Sequence, residues 1–150
     1  MVYANRDRAY RLWIVAPWVS ADEEGLDPLY LLVNSLRSKA CSVILITRKP
    51  IEDWHRRGEA LLENELNAAI YYCASLHTKL YILECNGFRG AILGSPNLTG
   101  KADVYNREIA VEFRTSTTSS DHDVAILINE LIEYSSALRG ERDVTLKLRR

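Results

Sequence analysis

The stretch LHTKLYILE, residues 76–84, sets a histidine and a lysine two positions apart in a run of leucine, tyrosine and isoleucine. Side chains alternate along a strand, so His77 and Lys79 are expected on one face, about 7 Å apart at the backbone. Two cation-forming groups side by side repel each other and lose hydration, so a negative partner is expected on that face. A second stretch, ILGSPNLTG at 92–100, offers Gly94 for a tight turn and Ser95 and Asn97 as neutral hydrogen-bond donors. If the two stretches pair as a hairpin, this turn lies near His77. The local set suits a phosphate. Lysine supplies a point charge, serine and asparagine supply oriented donors, and histidine can attack phosphorus or move a proton.

The elements that must position these residues are legible from periodicity. LWIVA (12–16), ended by Pro17, and SVILIT (42–47) read as buried strands. Between them Asp27 and Pro28 open a helix with Leu29, Leu32, Val33 and Leu36 on one face. Arg56 to Ala68 has helical spacing, with Gly58 weakening its start, and AIYYCA (69–74) is a third strand. NGFRG (86–90) predicts an antiparallel hairpin joining residues 77–84 to 90–94. REIAVEFR (107–114) alternates as a further strand, TSTTSS (115–120) is a loop, and Asp121 opens an apolar-faced helix carrying Val124, Leu127, Ile128, Leu131, Ile132 and Leu138. The predicted order β-α-β-α-β-β-β-β-α indicates an α/β fold: a mixed β-sheet flanked by helices, in one domain spanning residues 1–150.

Composition narrows the class. Apolar residues make up 47% and charged residues 26% of the 150, which excludes disorder over any large part. No apolar run approaches a membrane span, and no secretory leader is expected, because the start, MVYANRDRAYR, is polar and charged. Cys41, Cys73 and Cys85 are an odd, unpaired set, so reduced thiols and a cytoplasmic location are expected. The net charge of −1 excludes the strong basic excess of a non-specific nucleic-acid binder. A polyanion would have to be held by a local patch or a partner.

Taken together, His77-x-Lys79-x4-Glu84 followed by Gly94-Ser95-Pro96-Asn97 resembles the signature of the phospholipase D superfamily, HxKx4D then GSxN, with Glu84 where aspartate is usual. Glu108 matches the glutamate that orients the active-site histidine in the family's small bacterial nucleases. The likeness runs over about residues 10 to 135 and implies a phospholipase D-like fold. It also implies a metal-independent, cofactor-free phosphodiesterase in which one histidine forms a phosphohistidine and a second protonates the leaving oxygen. Such a pair shares a proton, one imidazole neutral and the other charged. This chain holds one HxK motif, half of a two-motif site, so the resemblance implies a homodimer with two His77 side chains at its two-fold axis. Catalytic roles are thus expected for His77, Lys79, Asn97 and Glu108, with Ser95 secondary.

An endonuclease acting on DNA is the first expectation. The alternatives are a phospholipid headgroup hydrolase, or a non-catalytic dimerisation module of a larger nucleic-acid-processing protein. Arg48 and Lys49 follow a buried strand, where α/β sheets border ligand crevices; with Lys101, Arg56 and Arg57 they could form a basic rim. Trp18 and Trp54 could stack on bases or serve as core or interface residues. His55 is expected at a solvated loop or helix start, and His122 exposed. A zinc site of Cys73, His77 and Cys85 would lack a fourth ligand, and a two-metal site would need clustered carboxylates that the sequence does not display. No metal is therefore expected.

Overall fold

A computed structural model of the protein describes residues 10–22, 27–85, 87–99, 107–116, 118 and 120–148. Through them the chain runs β1 (Tyr10–Val15), α1 (Pro28–Leu36), β2 (Cys41–Thr47), α2 (Asp53–Leu66), β3 (Ala69–Cys73), β4 (Leu80–Cys85), β5 (Phe88–Gly94), β6 (Ala110–Ser116), α3 (His122–Arg139) and β7 (Val144–Leu146). The fold is α/β, with a mixed sheet flanked by helices. The described strands form one seven-stranded sheet in the order β6-β5-β4-β1-β2-β3-β7. Strands β1, β2 and β3 are parallel. β4 runs antiparallel to β1, β5 to β4 and β6 to β5, while β7 runs antiparallel to β3.

Those directions decide where chemistry can gather. The chain leaves β1, β2 and β5 at the same end of the sheet at which it enters β4 and β6. The residues after Val15, Thr47 and Gly94 and those before Leu80 and Ala110 therefore meet along one rim.

Alternation along the buried strands feeds two cores. Leu12, Ile14, Val43, Leu45 and Ile70 face α1 and α2, meeting Leu29, Val33, Leu36, Leu62 and Leu66. Trp13, Val15, Ile44, Ile46, Leu80 and Ile82 face α3, meeting Ile128 and Leu138. Helix α1 starts as its sequence dictates: the Asp27 carboxylate accepts from the Leu29 N–H at 3.0 Å, with Pro28 at the first position. The hairpin is also as expected. Cys85 pairs with Phe88, and Gly87 takes a φ of 81°, the left-handed turn conformation that glycine adopts without strain.

Three expectations need correction. Strand β4 begins at Leu80, so His77 and Lys79 lie on the segment feeding it, outside the buried strand; the polar side chains favour the rim over the core. Helix α2 begins at Asp53, three residues before Arg56, because Gly58 is a packing residue. A β-carbon there would meet the Ser20 Cα at 2.9 Å and the Ser20 N at 3.0 Å, so its lack of a side chain lets the 19–20 backbone lie on the helix. The helix ends at Leu66, where Asn67 turns left-handed at φ 55°. The third correction is β7, too short for periodicity to reveal.

Strand β7 is held by charge and backbone together. The Lys147 N–H donates to the Ile70 carbonyl at 2.8 Å, and its ammonium reaches Glu63 at 2.7 Å and Glu59 at 3.5 Å. Glu59, only 3% exposed, also accepts from the Tyr72 hydroxyl at 2.9 Å. Burial raises the Glu59 carboxyl above its usual range, with Tyr72 and Lys147 offsetting only part of that.

Two outcomes are expected. Gly58→Ala should lower stability by about 1–3 kcal/mol through overpacking against the 19–20 backbone, measured by urea unfolding. A raised carboxyl pKa means that folding favours protonated Glu59. Its contribution is complete below the unfolded value of about 4.5 and is lost as pH rises through the higher folded value. Glu59→Gln should therefore flatten the Tm-against-pH curve over that acid interval, as followed by circular dichroism.

Candidate active site

Two hydrogen bonds fasten the Lys79–Tyr81 stretch to the Gly94–Pro96 turn. The Gly94 N–H donates to the Lys79 carbonyl at 3.2 Å, carrying the β4–β5 ladder one step beyond β4. The Tyr81 hydroxyl donates to the Pro96 carbonyl at 2.8 Å. The alternation expected for residues 77–84 also persists: Thr78 turns to α3, its hydroxyl 2.8 Å from that of Tyr134, whereas Tyr81 packs toward the α1/α2 side. His77 and Lys79 share Tyr81's parity. His77 is exposed and Lys79 half-buried. Burial, and secondarily the charge of Glu108, raises the Tyr81 phenol well above its usual range, so it remains a donor.

Ser95 does more than cap a turn. Its N–H donates to the Ile109 carbonyl at 2.9 Å, its Oγ accepts from the Ile109 N–H at 3.0 Å, and its hydroxyl donates to the Glu108 carboxylate. This clamp ties the turn after β5 to the segment before β6. It depends on Gly94, where a β-carbon would collide with the Ile109 carbonyl oxygen and stand 2.6 Å from the Ala110 Cα. Glu108 is thus positioned by Ser95, and no hydrogen bond joins it to His77 among the described residues. Asn97 is half-buried beside this clamp, its Oδ1 buried and without a hydrogen-bond partner among the described residues, a state rare for a buried polar atom.

The 18–20 segment closes the other side of the rim. Val19 bridges Leu98, and the Ser20 N–H donates to the Leu98 carbonyl at 3.0 Å. Arg48 lies between this segment and His77. Its Nε donates to the Leu76 carbonyl at 2.8 Å, and its guanidinium carbon is 5.8 Å from the Trp18 ring centre. Trp18 in turn stacks on His55 at 4.6 Å and 14°. His55 lies in the first turn of α2, as expected, and is half-buried: its Nδ1 is buried without a hydrogen-bond partner among the described residues, and burial lowers its pKa. Arg48 is expected on the rim from its place after β2, but nothing in its local pattern indicates that its Nε is committed to the backbone before His77.

The remaining basic candidates lie differently. Lys49 lines a separate cleft with Glu63, Tyr72 and Lys147, away from the clamp. Arg56 pairs with Asp53 at 2.6 Å, and Arg57 donates to the Ala21 carbonyl at 3.1 Å. Lys101 lies outside the described residues. Glu84 stands toward the far end of β4, 3.6 Å from Arg11. The three cysteines are free thiols. No three His, Cys, Asp or Glu side chains converge as metal ligands among the described residues, and no described helix is long and apolar enough to cross a membrane.

The rim therefore joins an imidazole, an ammonium, a serine-clamped carboxylate and an amide. No family model matches the chain, and no curated protein matches it.

Removing Arg48 tests how the rim is held. Arg48→Ala leaves the Leu76 carbonyl without its side-chain partner, and amide exchange over residues 76–79 should quicken while β1 and β2 keep their protection. Unchanged exchange over 76–79 would show that the backbone alone fixes the segment.

Proposed function

We propose that the protein is a metal-independent phosphodiesterase with a phospholipase D-like fold, acting as an endonuclease on DNA at a homodimeric site. The observation that carries this reading is the Gly94 N–H to Lys79 carbonyl bond, which sets the His77-x-Lys79 segment directly beside the Gly94-Ser95-Pro96-Asn97 turn. Lys79 and Gly94 are fifteen positions apart in sequence, and the adjacency of their segments would give one phosphate an ammonium, an amide and an imidazole together.

In the proposed reaction a His77 nitrogen attacks phosphorus, and the bond from phosphorus to the leaving oxygen breaks. The imidazolium of the second copy's His77 gives its proton to that oxygen. The same imidazole, now neutral, takes a proton from water, whose oxygen attacks the phosphohistidine and returns the first His77. Lys79 and Asn97 neutralise and orient the phosphoryl oxygens as charge builds on them. Ser95 holds Glu108 at the rim, where its carboxylate can steady an imidazolium.

A single chain supplies one histidine, so the cycle requires the second copy. Beside the clamp, Ile109 is 77% exposed, with Leu93 and Val111 also exposed. These apolar side chains adjoin Ser95 and Glu108, where a second copy would cover them.

The phospholipid reading has one observation in its favour. An apolar cavity of about 410 Å³, lined by Leu12, Ile14, Leu32, Leu83 and Ile92, also reaches Pro96 and Asn97, and hydrocarbon next to a scissile phosphate would fit there.

Cleavage of DNA by purified protein in excess EDTA is the test. Wild-type protein should cleave and His77→Ala should not, while the variant keeps its fold and its dimer by sedimentation. Lys79→Ala and Asn97→Ala should each lower the rate about 10²–10³-fold, as for lost oxyanion donors. EDTA-resistant cleavage by His77→Ala, or by a wild-type monomer, would overturn the mechanism. Turnover of phospholipid vesicles without cleavage of DNA would move the assignment to the lipid hydrolase.

A further inference from the structure

We infer that Trp18, His55 and Trp54 form a stacking face for unpaired bases flanking the scissile phosphate, so that the substrate is a single strand. This rests on the phosphodiesterase reading of the His77 rim and specifies its substrate.

The three rings form one group. Trp18 and His55 are stacked at 4.6 Å, and Trp54 meets His55 edge-on at 5.9 Å and 69°. Neither tryptophan belongs to the hydrophobic core on either side of the sheet. Trp54 is 39% exposed and Trp18 half-buried, so large aromatic surface faces outward where core packing does not require it.

Location ties the group to the chemistry. Trp18 follows β1 at the end of the sheet where the chain enters β4, and the Val19–Leu98 bridge places it beside the Asn97 turn. Arg48 joins the two features, its guanidinium over the Trp18 ring and its Nε on the Leu76 carbonyl next to His77. The Trp54 carbonyl accepts from the Ala21 N–H at 3.1 Å, fixing the start of α2 to the same 18–21 segment.

A ring stack beside a phosphate-binding rim suits a nucleotide, whose base and phosphate are joined through one sugar. Base stacking is indifferent to base identity, because every base has a π face. It needs unpaired bases, since a duplex covers those faces except at its ends. The small net charge of −1 fits the same assignment, because stacking supplies affinity that a basic surface would otherwise have to provide.

The test is binding by the full chain carrying His77→Ala, so that the probe survives, read by the anisotropy of a labelled oligothymidine. Trp54→Ala should weaken binding about 5- to 100-fold, as for one lost base stack, and Trp54→Phe should restore most of it. An abasic strand of equal length should bind the parent protein at least as weakly as oligothymidine binds Trp54→Ala. Trp54 is chosen because its exposure makes the variant safe to fold, which a circular dichroism melt would verify. Equal binding of oligothymidine with and without Trp54, or of abasic and thymidine strands, would overturn the inference. So would Trp54-dependent binding of phosphatidylcholine vesicles in place of the strand. His77-dependent hydrolysis of bis(4-nitrophenyl) phosphate without Trp54-dependent strand binding would keep the phosphodiesterase and remove the stacking face. Trp54-dependent strand binding with no His77-dependent hydrolysis would keep the stacking face and remove the phosphodiesterase.

Discussion

The two-sided pairing of β1 is the constraint on which the rest depends. Trp13, Ile14 and Val15 are buried on both faces of the sheet, and the strand pairs in parallel with β2 and antiparallel with β4. Neither edge of it is left to water, so every backbone group of this apolar strand finds a partner in the ladder. The change of direction at β4 has a second effect. It turns the start of one strand toward the ends of its neighbours and collects five chain segments at one rim.

Those segments are then fixed by close backbone approach more than by side-chain contact. Gly94 allows the strand preceding the turn to lie against Ile109 and Ala110, and the Ser95 clamp makes that approach specific. Gly58 does the same on the other side, admitting the 19–20 backbone to α2, from which that backbone reaches Leu98. The chain around Lys79 and Asn97 is thereby set by backbone contacts, while the Ser95 and Glu108 side chains bond each other. Arg48 combines both functions, holding the backbone before His77 while its guanidinium lies over Trp18.

Charge is spent unevenly across the molecule. Arg56, Arg57 and Lys147 are engaged in local ion pairs or backbone contacts, and the Glu59–Tyr72–Lys147 group serves to hold β7 at the opposite edge of the sheet from β6. A rim that concentrates Lys79 and Arg48 does not need a basic chain. Electrostatic attraction within a few ångströms outweighs net charge, which salt screens beyond about 8–10 Å.

Much of this was legible in the sequence because it is encoded locally. Period-two and period-3.6 apolar patterns located the first six strands and the three helices, Asp27-Pro28 marked a helix start, and Asn86-Gly87 marked the hairpin. The spacing of His77, Lys79, Ser95 and Asn97 raised the expectation of a phosphate-suited set, because that expectation rests on residue type alone. Residue type could not say that Ser95 would bond Glu108, that Gly58 serves packing, or that Trp18 and His55 would stack. It could not reveal β7, whose three residues are held through Lys147 by partners far away in sequence. Each of these is a contact between segments distant along the chain, created by the direction and order of strands. Local sequence fixes which groups a segment carries; only the assembled sheet decides which groups from different segments meet.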